Sequence, residues 1–281
     1  IKGTGHRIAF YDHTMRERQL REVQVCQMIH DGLKEQQFHV CFQPQYDYTL
    51  NDIIGAEALV RWKHPSLGWI SPKDFVPVLE KNDLIGQLDL FVWEEACKFL
   101  HQLTEHNCAG APLRSVSVNV SRLDIYMKEL KDILLALVER YELHPSRLHL
   151  EITEGAYIED SNYLIATIEN LRNCGFNVHM DDFGSGYSSL NILKDVPVNV
   201  LKLDMKFLSA ENTERGANIL SSIMGMAQHI GLPVIAEGVE TKVQADYLYS
   251  LGCRYMQGYY FARPMTAEHF TQFLEERKKN A

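Results

Sequence analysis

Six short apolar runs in this chain each carry, at or near their end, a group able to bind a cation or handle a proton: Glu57, Asn119, Glu151, the Asp181-Asp182 pair, Lys202 and Glu237. Gathered at one rim, the five carboxylates would repel one another strongly unless cations neutralised them. Asn119 adds a neutral oxygen ligand, and an all-oxygen set selects Mg²⁺ or Mn²⁺ over zinc. Adjacent aspartates can divide the labour, one bridging two ions and the next binding only one. Two ions about 3.5 to 4 Å apart form the usual clamp for in-line attack of water on a phosphodiester. Lys202 could orient or deprotonate that water, its pKa lowered by burial or its charge held against the carboxylates.

Each residue also has an ordinary reading. A single glutamate at a strand end is usually solvated or salt-bridged, and so is a lone Asp-Asp pair, but six such placements on successive strands are hard to ascribe to coincidence. Arg61 is either a surface arginine or a fork onto a phosphate. Gln43 and Gln257 lie in apolar surroundings, where an unpaired amide is costly, which favours ligand contact over packing. His64, His149 and His179 lack the spacing of a zinc site and read as structural. Trp62, Trp69 and Trp93 read as core residues rather than base-stacking platforms.

The runs that carry these groups are IIGAEALV, VSVNVS, LHLEITE, VHMDDFG, VLKLD and VIAEGVE, each the length of a buried strand. Helical periodicity fills the gaps. Leu164, Ile168 and Leu171 share one face of a helix over 160–174 that meets Gly175, and Ile219, Ile223, Met226 and Ile230 share a face over 213–230 that meets Gly231. Thr241 with Gln244 makes a capping box, and Ser71-Pro72 marks another helix start. Strand, helix, strand order implies parallel pairing. Counted from FHVCFQPQY to YMQGYYF there are about eight strands, the number that closes a TIM-like barrel. Only a short turn from Asp47 to Asp52 separates FHVCFQPQY from IIGAEALV, so those two should form an antiparallel hairpin. The fold class is therefore α/β, a TIM-like (β/α)8 barrel with one antiparallel strand.

The chain has 281 residues and 46% apolar content, which suits one large barrel. A formal charge of −9 argues against a DNA or RNA duplex as partner, while a small anion held through metal ions stays compatible. Cys26, Cys41, Cys97, Cys108, Cys174 and Cys253 show no CxxC spacing and read as reduced, mostly buried thiols of a cytoplasmic protein. No apolar run reaches about 18 residues, so no membrane contact is expected from this segment.

At this point the residues resemble the EAL-domain phosphodiesterases that hydrolyse cyclic di-GMP. The resemblance rests on Gln43-Pro44, Glu57-Ala58-Leu59 followed by Val60-Arg61-Trp62, SVNVS around Asn119, LEITE from Leu150 to Glu154, DDFGSGYSS from Asp181 to Ser189, LKLD around Lys202, AEGVE from Ala236 to Glu240, and QGYYFARP from Gln257 to Pro264. It runs from about Phe38 to the last helix. It implies a cyclic di-GMP-specific hydrolase that yields linear pGpG with two Mg²⁺ or Mn²⁺ ions. Glu57, Asn119, Glu151 and Asp181 would hold the first ion, and Asp181 and Asp182, with Glu237 nearby, the second. Lys202, Glu57 and Glu237 form the implied catalytic set, with Lys202 on the attacking water. Arg61 matches the arginine for a substrate phosphate, and Gln43 and Gln257 complete the candidate substrate contacts. Glu154 and Glu240 match carboxylates supporting the loop Phe183 to Ser189, which the family couples to a homodimer interface.

Ser185 stands where threonine is common and Leu203 where isoleucine is common, and neither change removes a ligand. The start of the chain, RIAFYDHTMRERQLREVQ, looks like the end of a GGDEF domain and a helical connector. That assigns 1–33 to this preceding part and 34–281 to the barrel, as if cut from a GGDEF-EAL protein, with upstream membrane anchoring left open. The alternative function is a catalytically silent cyclic di-GMP receptor or a protein-interaction module.

Overall fold

A computed structural model describes residues 25–105, 113–157, 161–184, 196–204 and 214–279. The chain divides into two compact units, one formed by Ile1–His39 with Arg61–Ile85 and a larger one by Val40–Val60 with Gly86–Ala281.

The larger unit is a closed barrel of eight strands: β1 (Phe38–Asp47), β2 (Asp52–His64), β4 (Val116–Asn119), β5 (Leu148–Thr153), β6 (Asn177–Phe183), β7 (Val200–Asp204), β8 (Val234–Glu237) and β9 (Tyr255–Met256). The strands follow one another β2-β4-β5-β6-β7-β8-β9-β1, and the β1–β2 pairing closes the ring. Pairings from β2 round to β9 are parallel, whereas β1 is antiparallel to β9. The reversed strand follows from chain length: the turn over 48–51 is too short for a crossover, so the chain can only double back. The short strand β10 (Met265–Thr266) lies beside β1, and within the smaller unit β3 (Gly68–Ile70) pairs with the end of β2. The last barrel strand is much shorter than YMQGYYF, because after Met256 the backbone turns through Gly258.

The helices span Ser161–Asn173 and Glu214–His229, each followed by a glycine at positive φ, Gly175 at 97° and Gly231 at 70°, but the second buries Leu220, Met224 and Ala227 and leaves the expected face members Ile219 and Ile230 exposed. Thr241 and Gln244 form the expected capping box for the helix Lys242–Ser250. Pro72 does open the helix Pro72–Lys81, but Ser71 makes no side-chain cap. None of the described helices is long and apolar enough to cross a membrane.

Along each barrel strand one set of alternate residues is apolar and joins the core cluster, for example Val116 and Val118, Leu148, Leu150 and Ile152, Val178 and Met180, Leu201 and Leu203. The intervening set is polar yet buried: Ser117, Glu151, His179, Asp181 and Lys202. Period-2 alternation thus aims the apolar set at the helices and the polar set into the barrel.

In the smaller unit Trp62 stacks on Phe38 at 5.1 Å between ring centroids, meets Phe75 edge-on, and donates its indole N–H to Gln37 Oε1 at 3.0 Å. Trp62 and Trp93 are core residues as expected, but Trp69 is 62% exposed. It sits on the short edge strand β3, where it meets the His39 ring and the Lys63 ammonium instead of a core. None of the five described cysteines forms a disulfide, but only Cys97 and Cys253 are buried, the others being half-buried. The expected upstream connector falls largely on residues 1–24, outside the described residues, while 25–34 are helical.

Candidate active site

Lys202, in the middle of β7, is fully buried, and carboxylates from four other strands surround it. Its Nζ lies 2.6 Å from Glu151 Oε2 and 2.7 Å from Glu237 Oε1, and 3.5 Å from both Glu57 Oε2 and Asp181 Oδ1. Parallel register makes this possible: Asn119 is opposite Glu151, Thr153 opposite Asp181, and Lys202 opposite Ile235, two residues before Glu237. β2 runs on to His64, so Glu57 is at mid-strand rather than at a strand end.

Charge decides how these groups behave. Burial alone would discharge Lys202, but Asp181, Glu151, Glu237 and Glu57 outweigh it and hold the ammonium well above the ordinary lysine range. Of the two roles the sequence leaves open, held charge is the one these ion-pair distances favour. Glu151 and Glu237 are pushed toward their neutral forms. Burial pushes Glu151 up to about 8 against the pull of Lys202, with Glu57 and Asp181 adding to the rise, and burial raises Glu237 as well against the same pull. Four carboxylates share one cation, so if all were ionised the pocket would hold a large unbalanced negative charge away from water.

The aspartate pair breaks the regularity of β6. Register shifts between Met180 and Phe183, and Asp182 takes a φ of 54°, a left-handed conformation that few residues other than glycine adopt. Its amide donates to Asp181 Oδ1 at 2.8 Å. The kink turns two successive carboxylates to different surroundings, Asp181 buried against Lys202 and Asp182 exposed. Partial desolvation and the neighbouring Asp181 and Asp204 charges raise the Asp182 carboxyl.

Around this centre the other candidates are placed unevenly. Gln257 Nε2 donates to Glu57 Oε2 at 2.5 Å and to Gln43 Oε1 at 3.3 Å, while Gln43 Nε2 donates to the Ala262 carbonyl at 3.1 Å. Both amides thus belong to a chain that fixes Glu57. Glu154 is buried and accepts the Gly184 amide at 3.0 Å, a contact that anchors the first residue after the DDF run. Gly186 and the loop residues 185–189 lie outside the described residues. Glu240 is exposed, its backbone amide donating to Gln244 Oε1. Asn119 is half-buried at the end of β4, with its carbonyl accepting the Trp93 indole N–H at 2.9 Å. Arg61 is half-buried on β2 within the smaller unit. His64 caps its own turn, accepting the Ser66 and Leu67 amides, while His179 is buried in the barrel and His149 half-buried. Among the described residues no three acidic, histidine or cysteine side chains are arranged as a ready-made metal-ligand set, because the carboxylates converge on the ammonium.

Sequence reasoning passed over two features. Asp204, two residues after Lys202 on the same strand, bears on Asp182, and period-2 alternation from Lys202 would have flagged it. The Gln43–Gln257–Glu57 chain had no local signal, since 214 residues separate the two amides.

Residues 26–264 match the EAL domain family. The chain is 34% identical over 261 residues to the bifunctional diguanylate cyclase/cyclic di-GMP phosphodiesterase MucR of Pseudomonas aeruginosa, covering 92% of this chain and 38% of that protein. It is 33% identical over 273 residues to the cyclic di-GMP phosphodiesterase NbdA of the same organism, covering 97% of this chain and 34% of that protein. The chain thus spans well under half the length of these curated relatives. Among solved structures it is similar to the PaMucR phosphodiesterase in complex with c-di-GMP, with a TM-score of 0.83 and 35% identity over 88% of this chain and 99% of that one. The EAL enzyme Bd1971, bound to cAMP and cyclic di-GMP, gives a TM-score of 0.86 at 27% identity over 92% of this chain and 70% of that one. The barrel with one reversed strand, its carboxylate centre and the match over 26–264 all bear on one assignment: the chain belongs to the EAL domain family.

Proposed function

We propose that this chain hydrolyses cyclic di-GMP, opening one 3′,5′-phosphodiester to give linear pGpG. The observation that carries the reading is the surplus of buried carboxylate over Lys202 in a chain of this family. Four acidic side chains within ion-pair reach of one ammonium are unstable as anions unless further positive charge arrives or protons are kept. Burial raises the Glu151 and Glu237 carboxyls, so these are groups whose ionisation a bound cation would favour. Divalent ions bound here would supply the charge that activates water and stabilises the phosphoryl oxygens.

Glu57, Asn119, Glu151 and Asp181 are the side chains that would hold one Mg²⁺ or Mn²⁺, and Asp181, Asp182 and Glu237 those that would hold a second. Oxygen-only donors fit these ions. Lys202 stays protonated and orients the nucleophilic water by charge and hydrogen bonding. The Gln43–Gln257 pair keeps the Glu57 carboxylate in one direction, and Arg61 supplies a guanidinium for a substrate phosphate. Glu154 holds Gly184 and with it the start of the loop after Asp182, with Glu240 supporting that loop further out. The same reading includes a cytoplasmic setting and a homodimer, which sedimentation at micromolar concentration tests: a strictly monomeric chain would remove the dimer.

The deciding experiment incubates the purified chain with cyclic di-GMP and Mg²⁺ or Mn²⁺, alongside a chelator control, and separates the nucleotides by chromatography. Metal-dependent pGpG is the expected result. Tight binding of intact cyclic di-GMP with no product in either metal would replace the hydrolase with a receptor.

A further inference from the structure

Two residues before Glu151 and Asp181 on their strands stand two histidines, His149 and His179, that the proposed reaction does not use. His179, on β6 two residues before Asp181, is 1% exposed, and neither ring nitrogen has a hydrogen-bond partner. Glu151 Oε1, on the neighbouring strand, is also buried without one. These two atoms face each other, Nδ1 to Oε1, at 4.0 Å, and the register puts the two residues directly opposite. One is a potential donor and the other an acceptor. Unpaired buried polar groups are rare and costly, and two complementary ones side by side call for a reason.

The surroundings supply one. Glu151 Oε2 is drawn to Lys202, which leaves Oε1 short of the imidazole. His179 cannot swing away, because the His149 ring packs behind it at 4.6 Å between centroids and 58° between planes. His149 is itself tied by Nε2 to the Asn177 amide at 3.2 Å. Asn177, His149 and His179 thus form a column that runs from half-buried Asn177 and His149 to buried His179 and ends on Glu151.

We propose that His179 is a positioning residue: its Nδ1–H takes hold of Glu151 Oε1 and fixes the direction in which that carboxylate faces a bound divalent cation. The inference rests on the cation reading of the site. Carboxylates that ligate metals are themselves usually hydrogen-bonded, and losing such an outer partner typically weakens metal affinity about 10- to 100-fold.

The test is calorimetric titration of Mn²⁺ alone, without nucleotide, into the chelator-stripped chain and three variants. His179→Asn keeps an amide donor near the Nδ1 position, His179→Gln moves it to the Nε2 position, and His179→Leu removes it. The expected result is a loss of about tenfold or more for the Leu and Gln variants, with the Asn variant staying close to the parent. A purely space-filling histidine would show no such split between Asn and Gln. Equal Mn²⁺ affinity in the parent and all three variants overturns the role of His179 and leaves the cation site standing. A parent that takes up no Mn²⁺ overturns the cation reading, and this inference with it. Should the Leu variant fail to fold in a melting control, the Asn and Gln pair still decides.

Discussion

Asp47 and Glu151 are both buried carboxylates in one barrel, and their protons behave in opposite ways. Asp47, at the end of β1, is 1% exposed and Glu151 is fully buried. Burial by itself would raise both. At Asp47 it is outweighed by the Arg254 guanidinium, whose Nε donates to Oδ2 at 2.6 Å, and by the Thr49 and Leu50 amides on Oδ1, so the carboxyl is held below its usual range. Glu151 has a single lysine that three other carboxylates also claim, and it rises to about 8. Burial does not settle the charge of a carboxylate; the allotment of partners does. Asp47 has all the donors it can use and is structural, whereas the Glu151 cluster lacks positive charge and is built to take more.

The contrast breaks most sharply at Lys202. Lys202→Met removes the ammonium from the cluster while keeping most of its volume, and an uncompensated buried charge typically costs about 3–5 kcal/mol. We expect a large drop in melting temperature in chelator, partial recovery on adding Mn²⁺, no turnover, and retained binding of cyclic di-GMP by calorimetry. Turnover at the parental rate would remove Lys202 from the reaction. Glu237→Gln should do the reverse. Its carboxyl is raised so far that an uncharged amide replaces a group already inclined to be neutral, so stability in chelator should hold or increase. Mn²⁺ affinity should fall by at least the roughly 10- to 100-fold that loss of an outer-shell partner costs. A variant both less stable and unchanged in Mn²⁺ affinity would mean Glu237 is an ordinary structural acid.

These contrasts also mark what the amino-acid sequence could reveal. Glu57, Glu151, Asp181, Lys202 and Glu237 were legible because each sits on its own apolar run, and parallel strands joined by helices can only bring such runs to one ring. The reversed β1 was legible from a turn too short for a crossover. Asp47 was visible only as the edge of that turn, since Arg254 is 207 residues away and nothing local announces it. The state of Lys202 was also out of reach: burial and neighbouring carboxylates push in opposite directions, and only the distances to four of them decide the outcome. Trp69 shows the converse error, an aromatic read as core by type that the edge strand β3 leaves exposed.

At Asp47 the expected effects are smaller and independent of metal. Asp47→Ala strips the Thr49 and Leu50 amides of their acceptor and should cost about 1–3 kcal/mol, with Mn²⁺ affinity unchanged because the turn makes no ligand. The narrowest test is Asp47→Asn, which keeps an acceptor oxygen for the turn and loses only the charge facing Arg254. Because the folded-state carboxyl lies below its ordinary value of 3.8, its contribution is fully present above that pH and is lost as pH falls through the lower folded value. Denaturant melts of parent and variant should therefore differ by a constant amount from neutral pH down to mildly acidic conditions, and the gap should close below about pH 4. A gap persisting undiminished to the most acidic folded conditions would show that the Arg254 pairing is not what holds Asp47 ionised, and the contrast with Glu151 would then rest on the backbone amides alone.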